Sequence, residues 1–102
     1  MKFGEYVKAL RTIRGFGQKE LAERANVASP YLNKIEKNKV QPPSEDILIR
    51  LALALNKDPY EMIVKAGKVP TDFQQVILND TDAFNYLKKK SSATAAANEG
   101  RK

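Results

Sequence analysis

The sequence predicts an all-α fold, with a five-helix domain over residues 1–67 and two additional C-terminal helices ahead of a tail. Apolar residues recur at intervals of three and four rather than two, which is the period of a helix with one buried face. Glycine or asparagine, the residues that best tolerate a left-handed backbone, ends each of the first five periodic segments, at Gly15, Asn26, Asn38, Asn56 and Gly67. A chain of 102 residues can bury one small core.

Residue types also mark where the helices begin. The first helix is expected over about residues 3–14, where apolar residues follow the helical period. The second begins near Gln18, after Gly17, which offers no side-chain cap. Ser44 caps the fourth helix, followed by two acidic residues, and Asp58 followed by proline opens the fifth.

Residues 17–37 predict two short helices joined by a tight turn. Apolar residues lie at helical spacing on both sides of the turn, at Leu21, Ala22, Ala25, Leu32 and Ile35. Asn26 can take the left-handed conformation that a sharp turn needs. The small side chain of Ala22 suits two helices that cross closely at a steep angle. We therefore expect the rest of the chain to be organised around this pair of helices.

The residues after Lys68 predict two more helices, separated by a break at Asp80 to Asp82. Their apolar residues are too many for a free tail. They either fold back on the first domain or form a dimer interface, and we favour the interface, made by Phe73, Val76, Ile77, Phe84 and Leu87. Residues 68–90 are therefore expected to be a helical dimerisation extension. Residues 91–102, with few apolar residues and no period, are expected to be a disordered tail.

Composition excludes several classes of protein. The chain has no cysteine and no histidine, so disulfide scaffolds, thiol chemistry and the usual zinc sites are excluded, and we expect no metal and no cofactor. There is no glycine-rich phosphate loop, and Asp80 and Asp82 are ordinary residues for a helix start, so we expect no enzyme. No apolar stretch is long enough for a membrane span or a secretory signal. A reducing cytoplasm is the simplest setting.

Positive charge is concentrated in the first part of the chain. The formal net charge is +6, and residues 1–40 carry 9 basic against 4 acidic residues, whereas residues 41–80 carry 4 against 6. Because phosphate neutralisation supplies most of the non-specific affinity for DNA, this asymmetry favours a polyanionic partner at the first half of the chain, which contains residues 17–37. The alternative is a well-charged surface that only keeps the protein soluble.

Several residues at fixed spacing carry a family resemblance. They are Arg11, Gln18, Leu21-Ala22, Ile35-Glu36 and Pro43-Ser44. With these residues, the chain from about residue 3 to residue 66 resembles the phage-repressor-like helix-turn-helix family of the Xre and Cro type. The resemblance implies a five-helix domain whose third helix, from about Ser29 to Lys37, enters the major groove of DNA.

The outward face of the third helix holds the candidate base contacts, Ser29, Pro30, Asn33 and Lys34. Asn33 can bond adenine, Lys34 can donate to guanine, and Ser29 can bond either member of a pair. Pro30 can meet a thymine methyl group. Proline after Ser29 fits an N-cap at Ser29, whereas the family caps this helix at the position of Ala28. The sequence therefore leaves two possible N-caps, one residue apart.

The candidate phosphate contacts are Gln18, Lys19, Tyr31, Lys37 and Lys39. The resemblance implies that Gln18 contacts a phosphate and braces the next helix. Tyr31 either reaches a phosphate or packs at the rim of the interface. Glu36 lies at a helix end where the dipole disfavours an anion, and the resemblance implies an ion pair with Arg11. The alternative is a solvated surface glutamate.

The resemblance, together with the charge, implies a sequence-specific double-stranded DNA-binding transcriptional regulator. We expect a homodimeric repressor that reads a pseudo-palindromic operator, in the cytoplasm of a bacterium or phage and associated with the nucleoid. The alternative is a protein-interaction module, such as an antitoxin or an adaptor controlled by a regulatory protein partner, with residues 73–87 as its docking surface.

Overall fold

The structure, a computed structural model, describes residues 1–99, with side chains through Ala93. It confirms the all-α prediction, because these residues form seven helices and no strand. The helices are α1 (Phe3–Ile13), α2 (Gln18–Ala25), α3 (Ser29–Glu36), α4 (Glu45–Ala54), α5 (Pro59–Lys65), α6 (Thr71–Asn79) and α7 (Thr81–Glu99). The chain divides into two compact units, one over Met1–Pro70 and one that begins at Thr71.

Left-handed residues end the first five helices at the predicted positions. The φ angles are 72° at Gly15, 55° at Asn26, 58° at Asn38, 57° at Asn56 and 82° at Gly67. After α2, the backbone N–H of Val27 returns to the carbonyl oxygen of Ala22 at 2.9 Å, which closes the turn. Asparagine tolerates this conformation better than other residues with a side chain, so the turn into α3 needs no glycine.

The first unit has a single apolar core. Helix α2 packs against both α3 and α4, α1 packs against α3, and α4 packs against α5. The largest fully buried side chains are Val7, Leu21, Leu32, Leu48, Leu51, Leu55, Met62, Ile63 and Pro70. Burial of each leucine is worth roughly 1.5–3 kcal/mol. Ala22 is 2% exposed, in accordance with the expected close crossing of α2.

Helices α3 and α4 begin where the sequence predicts, and the structure shows how each is capped. Helix α3 begins at Ser29 with Ala28 as its N-cap, so of the two possible caps the one at Ser29 is wrong, and Pro30 is the second residue of the helix. Proline is tolerated there because the first-turn N–H groups have no helical partner. Ser44 is the N-cap of α4, but its side chain makes no capping hydrogen bond. Asp58 does cap α5, because its Oδ1 accepts from the N–H of Tyr60 at 3.0 Å.

The second unit contains α6 and α7, which pack against each other. Asp80 caps α7, with its Oδ1 accepting from the N–H groups of Asp82 and Ala83 at 3.0 Å and 3.2 Å. We expected a disordered tail from Ser91, but the structure continues α7 to Glu99. Alanine has the highest helix propensity, and the four alanines in residues 91–99 favour continuation. Residues 100–102 of the expected tail lie outside the described part of the chain.

Candidate nucleic-acid interface

Helix α2 presents its N-terminal turn without a side-chain cap. Gly17 is the N-cap, with an extended backbone (φ −71°, ψ 164°). An open first turn of N–H groups, at the positive end of the helix dipole, is a ready site for an anion such as a DNA phosphate. Gln18 is the first residue of this turn and Lys19, which is exposed, is the second. The arrangement can therefore hold a phosphate group.

The candidate base contacts form two neighbouring rows on α3. Ser29 and Asn33 are four residues apart, as are Pro30 and Lys34, so each pair lies along the same side of the helix. Ser29 and Asn33 are half-buried, whereas Pro30 and Lys34 are exposed. The opposite side of α3 is buried through Leu32 and Ile35. The structure thus brings all four residues to one side of the helix, next to its half-buried Tyr31.

Arg11 and Glu36 form a two-pronged ion pair between α1 and α3. Arg11 Nε lies 2.7 Å from Glu36 Oε2, and Arg11 Nη2 lies 2.9 Å from Oε1. The side chain of Glu36 is only 2% exposed, so a solvated glutamate is wrong. Arg11 Nη1 also donates to the carbonyl oxygen of Phe16 at 2.9 Å. The hydrogen bond to Glu36, helped by its charge, raises the pKa of Arg11, and the guanidinium remains a cation.

Two further hydrogen bonds connect this ion pair to the candidate base contacts. Gln18 Nε2 donates to Glu36 Oε1 at 3.1 Å, and Asn33 Nδ2 donates to Gln18 Oε1 at 3.2 Å. The four side chains link α1, α2 and α3. The sequence reasoning missed the bond between Gln18 and Asn33. The available signal was the spacing, because Asn33 precedes Glu36 by three residues and so lies on a neighbouring part of the helix surface.

The N-terminus of α1 meets the C-terminal end of α3 at Gly4. The N–H of Gly4 donates to Asn38 Oδ1 at 2.8 Å. A Cβ at Gly4 would lie 2.6 Å from the carbonyl oxygen of Glu36 and 2.7 Å from Asn38 Oδ1. Sequence reasoning missed this contact also, although a glycine near the start of a helix is an unusual choice. The contact fixes α1 close to the loop that carries Lys39.

The remaining candidate phosphate contacts are at the surface. Lys37, the C-cap of α3, and Lys39 are both exposed. Asn38, in the left-handed conformation, turns the chain between them. The N–H of Lys39 returns to the carbonyl oxygen of Lys34 at 2.9 Å, which holds the loop against the end of α3. These lysines therefore extend the positive surface beyond α3, where they remain predicted phosphate contacts.

The residues predicted for a dimer interface lie on α6 and α7. Exposure is 44% for Phe73, 49% for Val76, 48% for Phe84 and 47% for Leu87, and Ile77 is half-buried. These are large values for apolar side chains. Their role in an interface remains a prediction.

The described residues lack the features of two other kinds of site, a membrane span and a metal centre. No helix there is both long enough and apolar enough to cross a membrane. Nor does that part of the chain bring together three or more acidic, histidine or cysteine side chains that could hold a metal ion.

Comparison with curated proteins finds transcriptional regulators. SinR of Bacillus licheniformis, an HTH-type transcriptional regulator, is 31% identical over 92 residues, which cover 85% of this chain and 83% of SinR. An uncharacterized HTH-type transcriptional regulator of Mycobacterium tuberculosis is 33% identical over 82 residues, or 76% of this chain. The match spans only 58% of the length of that mycobacterial relative.

Comparison with solved structures and family models gives the same result as comparison with curated proteins. SinR in complex with DNA superposes with a TM-score of 0.56 at 33% identity, over 59% of this chain and 95% of that chain. A complex of SinR with SinI matches 91% of this chain and 98% of that chain with a TM-score of 0.57, and at 22% identity it shows the fold alone. The model of the helix-turn-helix family matches residues 7–62, which is more than half of the chain. The chain therefore belongs to the helix-turn-helix family of phage-repressor-like transcriptional regulators.

Proposed function

We propose that this protein is a transcriptional regulator that binds double-stranded DNA and reads its sequence with α3. The observation that carries the proposal is the side of α3 that holds Ser29, Pro30, Asn33 and Lys34 at or near the surface. The buried ion pair of Glu36 with Arg11 holds α3 against α1. A solved structure of the 33% identical SinR in complex with DNA supports the same use of the fold.

Base recognition follows from the chemistry of this surface. The major groove is about 12 Å wide and admits an α-helix, and each base pair presents a distinct set of donors and acceptors there. Asn33 is suited to adenine and Lys34 to the acceptors of guanine, while Ser29 can either donate or accept. Pro30, exposed in the first turn, offers an apolar contact to a thymine methyl group. Short side chains in this turn let the helix approach the bases.

Phosphate contacts orient the protein on the duplex. The open first turn of α2 receives one phosphate through the N–H groups of Gln18 and Lys19. Lys37, Lys39 and the hydroxyl of Tyr31 contact the backbone on the other side of the recognition helix. These contacts supply affinity but carry no base preference, so binding is expected to weaken steeply with salt.

The exposed apolar residues of α6 and α7 support assembly into a homodimer. A two-fold dimer places its two recognition helices about one DNA turn, or about 34 Å, apart, so the operator is a pseudo-palindrome. Occupancy of a promoter by such a dimer blocks polymerase, and we therefore assign repression. The site of action is the nucleoid in the cytoplasm of a bacterium or phage.

Selection from a random pool of duplexes at near-physiological salt tests the proposal. Sequencing of the bound DNA is expected to show an inverted repeat whose half-site spacing is about 10 base pairs. Enrichment of a single half-site would show base reading without a dimer. Salt-sensitive binding with no enriched sequence would contradict sequence-specific regulation by this chain alone.

A second candidate is a protein-interaction module that is controlled by a regulatory partner. The exposed apolar residues of α6 and α7 also favour this second candidate. A solved structure that is similar in fold to this chain is a complex of SinR with the protein SinI. Truncation after Pro70 separates the two candidates, since the first unit has its own core. The regulator proposal expects truncation to abolish dimerisation and operator binding together. Full operator binding by the truncated chain would favour the interaction module.

A further inference from the structure

The hydrogen-bond network around Glu36 has a fixed direction. A carboxylate only accepts hydrogen bonds. Glu36 Oε1 accepts one from Arg11 Nη2 at 2.9 Å and one from Gln18 Nε2 at 3.1 Å. If the side-chain amide of Gln18 rotated by half a turn, its oxygen would face the carboxylate oxygen and the two would repel. Gln18 must therefore keep Nε2 hydrogen-bonded to Glu36, and its Oε1 is directed away from the carboxylate.

The same constraint passes from Gln18 to Asn33. Gln18 Oε1 faces Asn33 Nδ2 at 3.2 Å, so a rotated Asn33 would again set oxygen against oxygen. Asn33 therefore keeps its nitrogen toward Gln18. Its Oδ1 and the second hydrogen on Nδ2 are left for another partner. The half-buried position of Asn33 on α3 restricts the side chain further.

We infer that Gln18 is a positioning residue that makes Asn33 select adenine over guanine. The inference rests on the proposed function, in which Asn33 contacts a base edge. Adenine presents one acceptor, N7, and one donor, the N6 amino group, whereas guanine presents two acceptors, N7 and O6. In the orientation that Gln18 imposes, Asn33 offers one acceptor, Oδ1, and one donor, the second N–H of Nδ2, which match the donor and the acceptor of adenine. A freely rotating asparagine can turn both of its N–H groups toward guanine.

This role differs from a contact between Gln18 and phosphate. Phosphate contacts change the affinity for all sequences alike, because the backbone is the same at every base pair. A positioning residue instead changes the ratio of affinities at the single base pair that Asn33 contacts. The ratio of adenine to guanine binding therefore separates the two roles.

The test compares the wild type with Gln18→Met and Asn33→Ala. Methionine keeps the length of the side chain and removes both of its hydrogen bonds. Selection of bound duplexes with Asn33→Ala identifies the base pair that Asn33 reads. At that pair the wild type is expected to prefer adenine over guanine by roughly 5- to 100-fold. Gln18→Met is expected to bring the ratio close to one and leave the other positions unchanged.

Two variants serve as controls. Ser29→Ala removes another candidate base contact and is expected to change a different position, with the adenine preference intact. Glu36→Gln replaces the carboxylate with an amide that can accept or donate, so Gln18 is no longer held in one direction. It is expected to lower the same adenine-to-guanine ratio as Gln18→Met. Circular dichroism melts establish that each variant is folded at the assay temperature.

An equal loss of affinity for adenine and guanine duplexes in Gln18→Met, with the ratio unchanged, would overturn the inference alone. No base preference in the wild type, or no change of preference in Asn33→Ala, would overturn the base-reading role of Asn33 and the inference with it. Proton exchange at the Asn33 side-chain amide, measured by NMR without DNA, is expected to be slow in the wild type and faster in Gln18→Met. Equal exchange in both would overturn the hydrogen bond.

Discussion

The two units of the chain place their apolar side chains differently. In the first unit, large residues such as Leu21, Leu48 and Leu51 are 0% exposed. In the second, Phe73 is 44% and Phe84 48% exposed, and none of the nine residues of α6 is buried. A set of apolar residues that is not buried within its own helices is typical of a surface that meets another protein.

A carboxylate in each unit shows a similar difference. In the first unit, a buried carboxylate joins three helices through Arg11 and Gln18. In the second, the hydrogen bonds of Asp80 are local, to the backbone of Asp82 and Ala83. Long-range polar contacts fix the geometry of a surface, whereas local ones only fix the start of a helix. We therefore expect the first unit to read DNA and the second to assemble the protein, so that a change in the second unit can weaken assembly without unfolding the first unit.

The largest expected effect is that of Arg11→Ala. The change leaves Glu36 buried at 2% side-chain exposure without its cation, which costs roughly 3–5 kcal/mol of unfolding free energy. Lys57→Ala is the control, because its ion pair with Glu61 is 33% and 44% exposed and is worth less than about 1 kcal/mol. Denaturant unfolding measures both. Similar small losses in both variants would show that the buried pair does not hold α1 to α3.

A smaller loss is expected from Gly4→Ala. The added Cβ would lie 2.6 Å from the carbonyl oxygen of Glu36, so α1 has to move away from α3, at a cost of roughly 1–3 kcal/mol. Gly17→Ala is the control, because no atom lies within 4 Å of a Cβ at that position. It is expected to cost less than about 1 kcal/mol in urea unfolding, because the N-cap preference for glycine over alanine is partly offset by the lower entropy of the unfolded chain. A stabilised Gly4→Ala variant would contradict the close packing of α1.

Phe84→Ala tests the assembly role of the second unit. We expect the dimer dissociation constant, measured by sedimentation equilibrium, to rise about tenfold, which is about 1.4 kcal/mol. The unfolding free energy of the first unit is expected to stay the same. Asn85→Ala changes a neighbouring exposed residue of α7 and is expected to leave the dimer intact. A monomeric wild type would contradict the division of roles between the units.

The helices and turns of the first unit were predictable because their signals are local. A left-handed residue such as Asn26 or Gly67 acts within one turn of backbone, and the apolar period lies within one helix. The sequence left the N-cap of α3 undecided between two neighbouring residues, because the family position favours Ala28 and the following proline favours Ser29. The continuation of α7 past Ser91 was missed because a polar composition suggests disorder, whereas alanine favours a helix.

The candidate site was predictable where it depends on the exposed side of one helix. The ion pair of Arg11 with Glu36 was expected only from family resemblance, since 25 residues separate the two in sequence. The bond from Asn33 to Gln18 and the contact of Gly4 with Asn38 depend on how separate helices pack. The spacing of Asn33 and Glu36 places these two residues on neighbouring parts of α3, but it does not specify that Gln18 of α2 reaches both. For Asn38, sequence reasoning assigned the left-handed turn and missed the hydrogen bond.

Replacing Asn38 and Asn56 with glycine separates those two properties. Their φ angles are 58° and 57°, so glycine relieves nearly the same backbone strain at both positions. Only Asn38 also accepts a hydrogen bond from the N–H of Gly4, at 2.8 Å. We therefore expect Asn38→Gly to be less stable than Asn56→Gly by about 0.5–1.5 kcal/mol in urea unfolding. Equal stability of the two variants would mean that water replaces Asn38 at the start of α1, and that Gly4 alone accounts for the close approach of α1 to α3.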